Sequence, residues 1–287
     1  MAAVASIRVI KRKIRSDQNI KKITRAMQMV SAAKLRKVQD RLMQIRPYSD
    51  KIREFLGGLA TRVREQAHPL FTPRAEVKRI GVVAVLADKG LCGSYNSNMM
   101  RFANRFLGEH GKPGSVIAVG RKAVYWANRE GLPMVAEHVQ LPTEIPFAEI
   151  QKIAKRLVDW FTKGEVDEVH LLFTRYVNAM TFRPGSVKFL PIEAEDGGKA
   201  LAHDYIFEPD PAKILDHLVP RYVETTLHRL LLESMSSEHA ARMNAMRNAT
   251  DNADDLFQSL TLTYNKARQA GITKELLDIV GGAEALK

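Results

Sequence analysis

The last 52 residues of the chain, 236–287, constrain the fold most strongly because they have the spacing of a helix that lies against another helix. The segment contains no proline, and the side chains of its predicted seam follow one another at alternating steps of three and four. These positions are Met243, Met246, Thr250, Ala253, Phe257, Leu260, Tyr264 and Ala267. The next positions in step are Gly271, Lys274 and Asp278, which do not continue the seam. We therefore predict a long helix that packs against a partner helix for most of its length and then extends beyond it.

The N-terminal residues supply that partner, because residues 3–60 have a helical pattern along their whole length. At 1.5 Å per residue such a helix is about 80 Å long, which is too long for the core of one compact domain. Its predicted seam consists of Ile20, Ile23, Met27, Val30, Leu35, Val38, Leu42, Ile45, Ile52, Leu56 and Leu59. The step from Val30 to Leu35 breaks the heptad, so we expect an irregular supercoil there. Pro47 predicts a kink or a restart of the helix.

Between the two helices the apolar period changes to short buried strands that alternate with helices of about 10–15 residues. The predicted strands are Arg79–Ala87, Val116–Gly120, Met134–Leu141, Glu168–Tyr176 and Ser186–Ile192, and the predicted helices are Ser94–Leu107, a helix that ends at Glu130, and Phe147–Phe161. This alternation predicts a mainly parallel sheet with helices on its faces. Asp210 and Pro211 then form a helix start, and the final helix runs towards Val280 with a local kink expected at Pro220.

The predicted fold class is therefore α/β: a Rossmann-like domain inserted between two long terminal helices that form an antiparallel coiled coil. The expected division is residues 1–60 for the first coiled-coil helix, 76–195 for the globular domain, and 211–287 for the second helix with its protruding end. The ends of a compact domain lie close together, so the two helices can leave it side by side.

Charge is unevenly distributed along the chain. The net charge is +12, and residues 8–46 contain 13 Lys and Arg against two Asp, a local charge of +11. Such a stripe is either a solvated helix face or a surface that attracts a polyanion, meaning nucleic acid, anionic lipid or an acidic protein. No run approaches 18 apolar residues, so we expect no membrane span. The basic, acid-poor N-terminus lacks the apolar core of a signal peptide. It resembles a mitochondrial presequence in composition, but its helical pattern continues without a break.

Candidate sites for chemistry are few. The loop Gly90-Leu91-Cys92-Gly93 lies between a strand and a helix, where phosphates can bind, but neither G-x-G-x-x-G nor Walker A is present. A tight turn is the favoured interpretation. Cys92 is the single cysteine, which excludes an intramolecular disulfide and a cysteine-built zinc site and predicts a reducing compartment. An activated Cys92 thiol is the alternative to a buried, inert one. The eight histidines are scattered, so we assign no metal, cofactor or catalytic residue.

Six segments, in order along the whole chain, resemble the gamma subunit of the F-type (proton-translocating) ATP synthase of bacterial type. They are KITRAMQMVSAAK (22–34), RPY (46–48), DKGLCG (88–93), DYIFEPDP (204–211), RMNAMRNATDN (242–252) and LTYNKARQAGITKELLDIVGG (262–282). The chain departs from the family pattern at Lys89, Pro220, Lys274 and Asp278. With only Cys92, it also lacks the regulatory cysteine pair of chloroplast members.

The resemblance implies a non-catalytic central-stalk rotor subunit with no active site or cofactor of its own. Its expected partners are three alpha and three beta subunits, the epsilon subunit and the ring of membrane c subunits. The resemblance implies that rotation of the c ring, driven by protons, changes the conformation of the catalytic beta subunits through this shaft. The expected location is the cytoplasmic face of the bacterial plasma membrane, with membrane contact only through the c ring and no binding of nucleic acid.

The resemblance also assigns contact residues, none of them catalytic. Those matching the family's contacts with beta are Arg25, Met27, Arg242, Gln269, Thr273, Glu275 and Asp278, and those matching its contacts with the c ring are Tyr205 and Glu208. Two other functions stay open on the residues alone. A basic helical nucleic-acid-binding protein would interleave aromatic residues with its cations, and residues 8–46 contain none. A free nucleotide-using α/β enzyme would need the missing phosphate fingerprint.

Overall fold

The computed structural model describes residues 2–62, 68–110, 114–193 and 211–284. In chain order its elements are helix α1 (Ala2–Arg62), strand β1 (Ile80–Val85), helix α2 (Tyr95–His110), strand β2 (Ser115–Val119), helix α3 (Arg121–Arg129), strand β3 (Met134–His138), helix α4 (Phe147–Thr162), strands β4 (Glu168–Tyr176) and β5 (Phe182–Leu190), and helix α5 (Pro211–Glu284). The predicted fold class is confirmed. Helix α1 continues through Pro47 and α5 continues through Pro220, so the restart considered at Pro47 is wrong.

The chain divides into two compact units. The helix-pair unit comprises Met1–Ser31 and Arg242–Lys287, and the α/β unit comprises Ala32–Ala241. Helices α1 and α5 therefore contribute residues to both units. The three-part division predicted from the sequence (1–60, 76–195 and 211–287) stays a prediction about domain organisation.

A five-stranded sheet in the order β3-β2-β1-β4-β5 forms the centre of the α/β unit. β1, β2, β3 and β4 pair in parallel, and β5 pairs antiparallel with β4. The parallel strands are nearly continuous apolar runs, because helices cover both faces of such a sheet. Strand β5 follows β4 through a short turn at residues 177–181, and such a hairpin imposes the antiparallel pairing.

Side chains alternate between the two faces of the sheet, and each face has its own helical layer. On one face Val83, Val85 and Leu171 pack against α4 and against the parts of α1 and α5 that belong to this unit. On the other face Val82 and Ala84 pack against α2 and α3. The α/β unit thus has three layers, and the long helices help to form its core.

Two glycines are required by close packing in this unit. A side chain at Gly81 would meet the indole ring of Trp160, whose nearest atom would lie 2.7 Å from its Cβ. Gly120, which follows β2, has a φ of 90°, and a Cβ there would lie 2.1 Å from the carbonyl oxygen of Leu86. Both positions therefore exclude larger residues.

In the helix-pair unit, α5 has the seam predicted from its sequence. All eight predicted seam positions are buried or half-buried, and Gly271 extends the seam by one step. A Cβ at Gly271 would lie 3.8 Å from Cδ1 of Ile7. Thr250 bonds to Thr24 and Asp254 bonds to Lys21, so the partner positions decrease along α1 as they increase along α5. The two helices therefore pair antiparallel, as predicted.

The predicted seam of α1 is wrong in this unit. Ile20, Ile23 and Val30 are exposed, Ile23 to 59%. The covered positions are instead Ile7, Ile10, Ile14, Asp17, Lys21, Thr24, Gln28 and Ser31, with Met27 also half-buried. These steps alternate without a break and lead in phase to Leu35, Val38, Leu42 and Ile45 of the α/β unit. The expected heptad break is therefore also wrong. The real seam of α1 is regular, but between residues 17 and 31 its covered side chains are mostly polar, and Ile20, Ile23 and Val30 face outward.

A titratable cluster lies between α2 and the sheet. The ring of His170 on β4 is buried, its Nε2 lies 2.9 Å from Oε2 of Glu168, and its ring centroid lies 5.8 Å from that of His110. Lys188 on β5 donates to Oε1 of Glu168 at 2.7 Å. Burial lowers the pKa of His170, the Glu168 carboxylate opposes this, and the His110 ring and the Lys188 cation reinforce it.

Phe257→Asp should destabilise the helix-pair unit by about 1–3 kcal/mol, because it puts a carboxylate into a half-buried seam position. The matched control is Leu256→Asp, since the neighbouring Leu256 side chain is 57% exposed. Thermal unfolding followed by far-UV circular dichroism measures both. An equal fall in Tm for the two variants would contradict the seam.

Protonation of His170 should destabilise the folded chain in acid. Its folded pKa lies below the unfolded value of 6.5, so as the pH falls below about 6.5 the unfolded chain binds the proton first. The free energy of unfolding should therefore decrease from about pH 7 to pH 5, by up to about 1.4 kcal/mol per pH unit for each proton.

The variant His170→Gln should make this decrease shallower without removing it. The pKa values of His68, His138 and His228 are also lowered by burial, so they contribute in the same direction. Urea denaturation at several pH values measures the slope. An unchanged slope in the variant would show that His170 is not one of the titrating groups.

Candidate functional site

The edge of the sheet where the parallel strands end is the usual ligand site of an α/β fold. Here Asp88 follows β1, and its Oδ1 accepts hydrogen bonds from the backbone N–H groups of Arg121 and Gln140, both at 3.0 Å. A carboxylate therefore already occupies donors that could otherwise bind an anion. Cys92 is buried, and its Sγ accepts a hydrogen bond from Nδ2 of Asn96 at 3.1 Å. The tight-turn interpretation of residues 90–93 fits this geometry better than a phosphate site.

Helix α5 fills the crevice at this edge. The hydroxyl groups of Tyr95 and Ser234 lie 2.8 Å apart, and the Thr174 N–H on β4 donates to the Ser234 hydroxyl at 3.4 Å. The hydroxyl of Ser237 donates to the carbonyl oxygen of Thr174 at 3.0 Å. All four residues are buried, and burial raises the pKa of Tyr95, so its phenol stays protonated. We call this set, Tyr95, Thr174, Ser234 and Ser237, the hydroxyl network.

The space left in the crevice is too small for a nucleotide. A cavity of about 40 Å³ remains between Asp88, Gly120, Leu231 and Glu238, whereas small-molecule sites measure about 300–1,000 Å³. Within the described parts of the chain, no group of three His, Cys, Asp or Glu residues is arranged to hold a metal ion. At this edge the α/β unit therefore holds α5 instead of a ligand.

The outward face of α1 combines cations with uncovered apolar side chains. Of the 13 Lys and Arg between residues 8 and 46, only Lys21 is half-buried, where it pairs with Asp254, and the other twelve are exposed. In the helix-pair unit the apolar side chains Val9, Ile20, Ile23, Met29 and Val30 are exposed on the same helix. A face that is both basic and apolar is suited to a partner protein that presents acidic and apolar groups.

The end of α5 is a second uncovered surface. Beyond Gly271 every described side chain is exposed, and the apolar ones, Ile272, Leu276, Leu277, Ile279 and Val280, are 50–68% exposed. No described helix of the chain is long and apolar enough to cross a membrane. Single exposed apolar residues are ordinary, but five within nine positions of one helix are typical of a binding surface.

The residues assigned by resemblance do not form one site. Arg25 is exposed on the outward face of α1, and Met27 is half-buried beside the seam. Arg242 is only 9% exposed, so the chain itself covers most of it. Gln269, Thr273, Glu275 and Asp278 are all exposed at the end of α5. Tyr205 and Glu208, and the predicted N-cap Asp210, lie outside the described residues.

Two features of the outward face of α1 and the end of α5 were not predicted from the sequence. The outward Ile20, Ile23 and Val30 were assigned to the seam, and the apolar side chains of residues 272–280 were not recognised as a surface. A signal was present in the first case, since a heptad that starts at Ile7, Ile10 and Ile14 reaches Leu35 and Val38 in phase. The hydroxyl network left no comparable signal, because Ser and Thr are common in any helix or strand.

Comparisons with known proteins agree with one another. A family model described as ATP synthase matches residues 6–286. The ATP synthase gamma chain of Heliobacterium modesticaldum is 45% identical over 289 residues, which cover 98% of this chain and 99% of that protein. The gamma chain of Stenotrophomonas maltophilia is 40% identical over 292 residues, with coverages of 99% and 100%.

Solved structures also resemble this chain. A chain of the central stalk and c ring of the Tetrahymena thermophila mitochondrial ATP synthase aligns with a TM-score of 0.60 and 27% identity, over 79% of this chain and 99% of that one. A chain of the OSCP/F1/c-ring assembly of the Euglena gracilis enzyme aligns with a TM-score of 0.66 over 98% of this chain and 95% of that one. At 21% identity the Euglena match supports the fold alone.

Tyr95→Phe should reduce the free energy of unfolding by about 1–2 kcal/mol, because it removes a buried hydrogen bond and leaves the Ser234 hydroxyl less satisfied. Tyr125→Phe is the matched control, since Tyr125 is exposed on α3. Urea denaturation measures both. Combining Tyr95→Phe with Ser237→Ala should cost less than the sum of the single changes, because the network is shared. Additive losses would indicate two independent contacts.

Proposed function

This chain belongs to the ATP synthase gamma-chain family, and from that premise we propose how its two units perform the work of a rotor. It is the central-stalk rotor subunit of an F-type ATP synthase and is not catalytic itself. Its partners are the alpha and beta subunits, the epsilon subunit and the c ring. It couples rotation of the c ring to conformational change at the catalytic beta subunits.

The observation that carries the proposal is the uncovered surface of the helix-pair unit. Seven exposed cations and a set of apolar side chains face outward on the part of α1 that belongs to this unit, and α5 continues from Gly271 to Glu284 with its described side chains exposed. Isolated globular proteins rarely expose an apolar surface of this kind. A shaft enclosed by other subunits does, because those subunits cover its apolar side chains and respond to its charge.

We assign the beta contacts to three places on this unit. Arg25 and Met27 lie on α1, where the basic face attracts an acidic partner segment. Gln269, Thr273, Glu275 and Asp278 provide polar contacts among the apolar side chains at the end of α5. Arg242 is mostly covered within this chain, so it contributes through the small part of its surface that is exposed.

The contacts with the c ring are assigned to Tyr205 and Glu208, which match the family segment at residues 204–211. We further propose that the assembled protein lies at the cytoplasmic face of the bacterial plasma membrane, as a peripheral protein that meets the membrane only through the c ring. The curated relatives named above are bacterial proteins, which supports this location.

The proposed coupling depends on asymmetry. A rotor that presents a basic face in one direction contacts each of three beta subunits differently at any moment. A beta conformation that interacts more favourably with that face is stabilised over the others, and rotation passes this preference to the next subunit. The hydroxyl network keeps α5 from slipping on the sheet, so the sheet and the part of α5 that packs on it turn together.

Mixing this chain with its alpha and beta subunits should give one complex on size-exclusion chromatography with ATPase activity, whereas the chain alone should neither hydrolyse nor bind ATP. A chain ending at Gly271 should keep the free energy of unfolding of the full chain to within about ±0.5 kcal/mol, the range typical of exposed sites, because all the described side chains that it loses are exposed. The complex should retain less ATPase activity.

The matched control is a chain ending at Val280, which keeps all five exposed apolar residues and should behave like the full chain. Elution of the full chain apart from intact alpha and beta subunits would contradict the assignment. A Tm that falls on removal of residues 272–287 would show that the end of α5 is covered within this chain and is not a surface for partners.

A further inference from the structure

A second cavity, of about 470 Å³, lies in the α/β unit away from the strand ends. Its walls come from α1, from the segment before α4 and from α5. The volume is within the range of small-molecule sites, and more than ten times that of the crevice filled by α5. Neither the hydroxyl network nor the residues assigned to subunit contacts line it.

The floor of this cavity is apolar and its rim carries two uncovered aromatic rings. Ile45, Ile145 and Leu232 contribute to the floor, the last two being buried. At the rim Tyr48 is 55% exposed and Phe147 is 43% exposed. Partly exposed aromatic rings at the rim of an apolar floor provide contact area for an apolar or aromatic body.

Two guanidinium groups lie at the same rim. Arg221 donates to Oε2 of Glu224 at 3.1 Å and lies 5.9 Å from the ring centroid of Phe147, so two contacts orient its guanidinium group. Glu224 is itself held by Nε2 of Gln151 at 3.2 Å. Arg41 is exposed on α1 and lies 3.4 Å from the amide oxygen of Gln44. The planar guanidinium group of arginine suits a planar carboxylate.

The other titratable groups define the charge that the cavity accepts. Glu144 is the one carboxylate among the lining residues and lies 4.0 Å from the ammonium group of Lys37, and Arg221 is paired with Glu224. Together with Arg41, these groups carry three positive charges against two negative. His228 adds no charge near neutral pH, because burial and the nearby Arg41 cation lower its pKa. The net charge of the lining and its ion-pair partners is therefore +1, which one anionic group neutralises.

We propose that this cavity binds a small amphipathic carboxylate, meaning one carboxylate group on an apolar, preferably aromatic, body. The carboxylate accepts hydrogen bonds from the guanidinium groups of Arg41 and Arg221. The body lies on Ile145 and Leu232 between the rings of Tyr48 and Phe147. A single negative charge on the ligand balances the net charge of +1. Inorganic phosphate has no apolar part, so it would leave the apolar floor uncovered and is disfavoured.

Isothermal titration calorimetry of the full chain tests this with three probes: 2-naphthoate, its neutral analogue 2-naphthamide, and inorganic phosphate. We expect saturable binding of 2-naphthoate with a Kd below about 1 mM and none for the other two at that concentration. Arg41→Gln should weaken 2-naphthoate binding by about tenfold or more, the loss expected for a hydrogen bond between charged groups.

The matched control is Arg36→Gln, which removes the same charge from an exposed position of α1 that does not line the cavity. It should leave the Kd unchanged. Gln44→Trp places an indole ring into the cavity and should abolish binding while the Tm stays that of the wild type. Loss of binding in Arg36→Gln, or retained binding in Gln44→Trp, would place the probe elsewhere and overturn the proposal.

The same titration on the complex with alpha and beta subunits shows whether the site exists in the working protein. Binding of 2-naphthoate to this complex, and its loss with Arg41→Gln, supports the proposal. Binding to the free chain but not to the complex would mean that a subunit covers the cavity. Equal binding of 2-naphthamide would show that the guanidinium groups do not select a carboxylate. Either result overturns the inference, and neither affects the assignment as a rotor subunit.

Discussion

The attachment of α5 to the sheet is the interaction on which the α/β unit depends. Apolar contacts alone would hold the helix against the strand ends but would allow it to slide, since dispersion contacts have little directional preference. The hydroxyl network does not allow this, because Ser234 and Ser237 have partners only at one register of α5 against Tyr95 and Thr174. A slip by one residue would leave buried hydroxyls and a buried backbone carbonyl unsatisfied. The same arrangement fills the crevice at the strand ends and leaves a cavity of about 40 Å³, which is too small for a nucleotide.

In the helix-pair unit, polar side chains also fix the register of α5, here against α1. Its α1 seam carries Asp17, Lys21, Thr24, Gln28 and Ser31 between apolar positions, so it buries less apolar surface than an all-apolar heptad. Polar positions in a coiled coil specify register at some cost in stability. Thr24 with Thr250 and Lys21 with Asp254 form such specifying pairs, both between helices that meet antiparallel. These polar pairs therefore determine the alignment of the two helices more than the buried apolar area does.

The sequence predicted the fold well wherever apolar periodicity and burial coincide, and failed where they do not. The seam of α5 from Met243 to Ala267 and strand β4 are confirmed because apolar or small residues occupy the positions that are covered. The seam of α1 was wrong because Ile20 and Ile23 are apolar and outward while Thr24 is polar and covered. Hydrophobicity cannot reveal such a reversal, since it depends on which side chain the partner helix offers. The hydroxyl network was invisible for the same reason: its members are far apart in sequence, and only the packing of α5 on the sheet brings them together.

The reversal on α1 has a physical consequence for how the protein is stabilised. Moving Ile20, Ile23 and Val30 from the seam to the surface forgoes apolar burial within the chain and leaves the same area available to a partner. A partner that binds only the folded helix pair stabilises it by mass action, to an extent set by its affinity and concentration. The free chain should therefore have a weaker helix-pair unit than the assembled one, and the energy gained on assembly includes the apolar area that the isolated chain exposes. For a rotor this is an advantage, since side chains that complete no seam of their own remain free to contact one beta subunit after another.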